Sequence, residues 1–217
     1  MKGMLIKDFS LLKGQKQFFM VAFMFAVLFL FLSDMATFGV SYLIIMFIIF
    51  TLSTIAYDEY DNGNAFLFTL PISRKRYVQE KYVFCLVVSA IICFINMILI
   101  FILSYVKGYG KDDVVTLLIT MAAAWAAGIL MLSIMIPLQL KFGSEKRQMA
   151  MVAGFVCCFF LVFVGKKLVD RFGVPAFIGK LGSLSLGSVI GIGAVLLIVI
   201  TVVSYLLAVR IQEKKEF

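Results

Sequence analysis

Residues 58–81 read DEYDNGNAFLFTLPISRKRYVQEK, and the placement of this stretch decides the fold. It separates two long apolar runs, 37–56 and 82–106, and carries four acids (Asp58, Glu59, Asp61, Glu80) and four bases (Arg74, Lys75, Arg76, Lys81). That charge density belongs in water, so the stretch reads as a loop between two membrane spans. In its middle, Ala65-Phe66-Leu67-Phe68-Thr69-Leu70 is apolar but far too short to cross a bilayer. Two Phe and two Leu left in water forgo about 1.5–3 kcal/mol each, so a partner should cover them. Asn62-Gly63-Asn64 can cap a short helix, and Pro71 should stop it at Leu70. Ser73 then offers the N-cap of a second helix, running through Tyr77 and Val78 into the next apolar run. A short helix held between two spans can carry force from a machine in the cytosol; the same Phe and Leu side chains could instead rest on the inner membrane face.

Outward from this loop the chain is almost all hydrocarbon. Of 217 residues, 63% are apolar and only 15% charged, with a mean hydropathy of +1.09, which excludes a soluble domain. Apolar runs at 18–32, 37–56, 82–106, 114–138, 149–165 and 187–209 predict six spans. The first and fifth are short for a hydrocarbon core of ~30 Å. No run alternates with a period of two, which argues against a barrel. The expected fold is therefore all-α: a single polytopic membrane domain over residues 1–217. With both termini inside, 14 of the 20 Lys and Arg lie on the cytosolic side. The net charge of +8 is thus mostly a topology signal, and no aromatic-interleaved basic patch accompanies it to suggest nucleic acid.

Several kinds of chemistry are missing. There is no histidine, and all four cysteines (Cys85, Cys93, Cys157, Cys158) fall inside apolar runs, where they read as small hydrophobes. Gly110-Lys111, Gly165-Lys166 and Gly179-Lys180 lack the following Ser or Thr and the glycine spacing of a phosphate loop, so ATP is not expected to bind this chain. No nucleophile elbow, metalloprotease helix or paired carboxylate site is visible. The spans contain no Asp, Glu, Lys or Arg, which argues against an ion-coupled transporter. Asn96 is the strongest polar group inside them; it lines a pathway or bonds a neighbouring helix, with the second favoured.

The flanking segments fit a membrane chain. Residues 1–17 can form an interfacial helix, Lys2, Lys7 and Lys13 on one face and Met4, Leu5, Phe9 and Leu12 on the other, interrupted by Asp8. Residues 139–148 (QLKFGSEKRQ) return to the cytosol, and 166–185 form an apolar outer segment broken at Pro175, suited to re-entrant or interfacial half-helices. Ser183, Gly187 and Gly191 recur every four residues on one helical face that permits close backbone packing, within one subunit or between two.

The acids after the second span, Gly63, then Phe66-Leu67-Phe68-Thr69-Leu70-Pro71-Ile72-Ser73-Arg74-Lys75, Val78 and Lys81-Tyr82 resemble the coupling loop of small bacterial ABC type-2 exporter permeases. Residues 1–17 resemble the family's elbow helix, and 141–147 its second cytosolic loop. The resemblance implies a multi-pass permease in the bacterial cell membrane, both termini cytosolic, with a cytosolic ABC ATPase as partner. Asp58, Glu59, Asp61, Phe66, Leu67, Phe68, Leu70 and Arg74 would touch that ATPase, joined by Phe142, Glu145, Lys146 and Arg147. ATP and Mg would bind the ATPase alone, and this chain would need no cofactor and catalyse nothing. A second copy, or a related permease, would complete the pathway. Close likeness to the exporters of phenol-soluble modulins and antimicrobial peptides points to amphipathic peptides or other hydrophobic compounds as substrate. A membrane scaffold or immunity protein is the competing class, in which changes at residues 66–70 would cost nothing.

Overall fold

The computed structural model describes residues 2–32, 35–59, 67, 69, 72–142, 152, 154, 156, 160, 167 and 186–214. Among these, all regular structure is helical: α1 (Lys2–Gly14), α2 (Lys16–Phe31), α3 (Ala36–Glu59), α4 (Arg74–Lys107), α5 (Lys111–Phe142) and α6 (Leu186–Lys214). Four helices are long and apolar enough to cross a membrane, within Ala36–Asp58, Arg74–Lys107, Lys111–Phe142 and Gly191–Lys214. The chain is a polytopic membrane protein. The predicted fifth span and the outer segment after it lie, but for isolated residues, outside the described ones.

α1 and α2 bend by 66° across Gln15, so the charged N-terminal helix turns away from the apolar run that follows. The apolar run that starts at Tyr82 is entered by a helix that begins eight residues earlier, where Ser73 accepts a hydrogen bond from the Arg76 N–H at 3.4 Å. The Ser73 cap read from the sequence is therefore the real start, and α4 runs two turns past the apolar stretch as one rod of 34 residues. At its other end Gly108 takes the left-handed conformation (φ 66°) that closes a helix. Lys107 reaches across to the last carbonyls of α2, donating to Phe31 O at 2.6 Å and Leu30 O at 3.2 Å. The expected outer loop of residues 107–113 shrinks to three residues, because Asp112 and Asp113 enter the first turn of α5, where carboxylates oppose the helix dipole.

α3 is the hub, packing on α1, α2, α4 and α5, while α4 and α5 both pack on α6. Val40, Leu43, Ile44, Ile48, Leu52 and Ile55 form its buried stripe at helical spacing. Small residues set the approach distances. A Cβ on Gly128 of α5 would lie 2.1 Å from Ile48 Cδ1, and one on Gly39 would lie 3.0 Å from the backbone N of Leu30. Asn96 resolves to helix packing: its Nδ2 donates to Val40 O at 2.9 Å, joining α4 to α3. At Gly191, in the small-residue stripe of α6, a Cβ would meet nothing within 4 Å among the described residues.

Candidate functional site: an ionic knot at the loop end

Three elements meet where α3 ends and α4 begins. Asp58 is on the last turn of α3 and Lys81 on the second turn of α4; α1 lies against both. The Lys81 ammonium is fully buried and binds Asp8 Oδ2 at 2.5 Å and Asp58 Oδ2 at 2.6 Å. Lys7, itself partly exposed, pairs with the other oxygen of Asp58 and lies 3.7 Å from Asp8. Two lysines and two aspartates thus cross-link α1, α3 and α4 with charge-assisted bonds, the strong kind in a dry setting. Phe9 of α1 adds an edge-on contact with Phe84 of α4, centroids 5.2 Å apart, and Gln15 donates to the Tyr57 hydroxyl at 2.7 Å.

Glu80 stands beside this knot. It is 1% exposed, 4.0 Å from the Lys81 ammonium, and neither of its oxygens has a hydrogen-bond partner among the described residues. The local set holds three acidic side chains beside two ammonium groups.

The sequence-predicted residues fall into three groups. Asp58 turns inward to Lys81 and Lys7, and its carboxylate is buried. Arg74 reaches the end of α6, donating to Glu213 O at 2.7 Å and Gln212 O at 3.3 Å, where a cation complements the helix C-terminus. Leu67 is helical and packs half-buried against the core, and Phe142 is exposed at the end of α5, with the Lys141 ammonium 5.7 Å from its ring. Asp61, Phe66, Phe68, Leu70, Glu145, Lys146 and Arg147 lie outside the described residues, as does the Glu59 side chain; Gly187 sits in the first turn of α6. Sequence reasoning did not single out Asp8, Glu80 and Lys81 as one site. Its one available signal was Asp8, an acid interrupting the apolar face of an interfacial helix.

Residues 3–213 match the model of the family described as ABC-2 family transporter protein. The match spans nearly the whole chain, which therefore belongs to that family: it is the membrane-embedded component of an ABC transporter, a transport chain that partners a separate ABC ATPase. No curated protein and no solved structure matches it.

Proposed function

We propose that the chain is the six-span permease subunit of a bacterial ABC exporter, and that residues 58–81 are its cytosolic coupling loop. ATP-driven closure of the ATPase would move the Phe66–Leu70 segment and switch the spans between arrangements, with no covalent chemistry in this chain. The observation that carries this reading is the ionic knot. A loop that transmits force needs rigid ends, and both ends of this one are bolted to each other and to α1 through Lys81, Asp58 and Asp8. The helix that carries the bolt, α4, is unbroken over its 34 residues, about 50 Å of rod leading into the bilayer. Phe142, exposed at the end of α5, would meet the same partner as part of the second cytosolic loop.

Two copies of the chain would enclose the pathway, and α6, with Gly191 open and Val195, Val199 and Val202 half-exposed, offers a smooth face to lipid or to the second copy. Walls drawn from 23 Phe and 12 Met favour an amphipathic peptide or other hydrophobic cargo over sugars or ions.

Replacing Phe66 and Phe68 by Asp tests the coupling loop. Each buried Phe contributes about 1.5–3 kcal/mol, and a carboxylate buried without a partner is worse than a lost contact. The double variant should insert normally but lose co-purification of the ATPase and substrate-stimulated ATP hydrolysis in reconstituted membranes. A variant that keeps both would leave the loop resting on lipid, and the scaffold reading would replace this one.

A further inference from the structure

Pro137 sits inside α5 and has no N–H, so the carbonyl four residues earlier, that of Ser133, loses its intrahelical donor. In the structure another helix supplies it. The Ser204 hydroxyl of α6 donates to Ser133 O, and the Tyr82 hydroxyl of α4 lies 2.6 Å from the Ser204 oxygen. Ser204 has one proton and gives it to the carbonyl, so Tyr82 is the donor in that second bond. Ser133 turns its own hydroxyl back onto Ile129 O at 2.9 Å, a bond that favours bending of the same stretch. All three relay residues are buried, at 4–6% exposure.

The relay starts next to the ionic knot. Lys81 and Tyr82 are neighbours on α4 that face opposite ways: Lys81 binds α1 and α3, Tyr82 binds α6 and, through it, α5. A gap of about 10 Å³ bordered by Tyr82, Ser133, Ile136 and Thr201 leaves the turn room on the order of one water molecule.

We infer that the Ser133–Pro137 turn of α5 is a hinge whose bend is set by the Tyr82–Ser204 relay, and that Tyr82 and Ser204 are positioning residues for the Phe142 end of α5. When α4 slides against α6, Tyr82 releases Ser204, Ser204 releases the Ser133 carbonyl, and the end of α5 swings. Phe142 lies nine residues beyond Ser133, so a bend of about 20° moves it by about 4–5 Å. What pushes α4 rests on the coupling-loop reading; the hinge itself is a property of this chain alone.

The test uses the full chain in lipid nanodiscs, with its four cysteines replaced by Ala and spin labels on Ser10→Cys in α1 and Phe142→Cys in α5. Ser204→Ala should shift the distance distribution by about 4 Å, Tyr82→Phe should shift it the same way by less, and Ser204→Thr, which keeps the hydroxyl, should hold the parent distance. Pro137→Ala returns a backbone N–H to the Ser133 carbonyl, so adding Ser204→Ala to it should change nothing further. A Ser204→Ala shift of the same size with and without the proline would overturn the hinge, as would no shift in any variant. If Ser204→Ala alone does not fold, Pro137→Ala must restore it; failure to do so also overturns the proposal. None of these results bears on the Phe66 and Phe68 experiment, which reads the ATPase contact.

Discussion

Lys81 holds the loop end together from a position with no access to water. Its removal would leave Asp8, Asp58 and Glu80 buried against Lys7 alone. Stripping one partner from a buried ion pair costs about 3–5 kcal/mol, because the remaining charge has no solvent to turn to. Lys81→Met should therefore lower the thermal unfolding midpoint of the purified chain sharply, and adding Asp8→Asn, which removes one stranded charge, should recover part of the loss. An unchanged midpoint in the single variant would mean that the knot carries no stability. Half of this arrangement was legible in the sequence. Asp58 continues the stripe of Ile48, Thr51 and Ile55 at helical spacing, so its inward orientation follows from the period of α3. Its partners do not follow: Asp8 and Lys81 are 73 residues apart, and no local pattern joins an elbow helix to the start of a distant span.

Among elements, the contact of α3 with α5 is the tightest that glycine permits. The atom that a Gly128 Cβ would strike is the far end of Ile48, not backbone, and the next atom of that side chain is 3.6 Å away. Gly128→Ala should thus destabilise by about 1–3 kcal/mol through overpacking. Ile48→Val removes the clashing Cδ1, so the double variant should regain most of that loss in the same unfolding assay. If the two substitutions simply add, the helices do not meet there as described. Ala122, Ala123, Ala124, Ala126, Ala127 and Gly128 make this span smooth in sequence, and the structure buries Ala124 and Gly128 from the run. The stripe on α6 looked equivalent in sequence, yet Gly191 meets nothing among the described residues. Spacing shows that a face permits close approach; it does not say which neighbour comes.

At the scale of the whole molecule, the question is which side of the membrane the knot occupies. Arg74 binds the carbonyls of Gln212 and Glu213, and Lys7 binds Asp58, so the N-terminal helix, the start of α4 and the end of α6 share one end of the bundle. The geometry therefore ties both terminal helices, the end of α3 and the start of α4 to a common side, whichever side that is. The distribution of Lys and Arg chooses it: 14 of 20 lie at that end or in the segments assigned to it, and an excess of such residues is retained in the cytosol. Single cysteines on a cysteine-free background decide the matter in intact cells. Lys214→Cys, exposed at the knot end, should resist an impermeant maleimide until the cells are permeabilised. Asp112→Cys, exposed in the first turn of α5 at the opposite end, should react at once. The reverse pattern would put residues 58–81 outside, beyond reach of any cytosolic ATPase, and the coupling-loop reading would fall while the ionic knot and the α5 hinge stood.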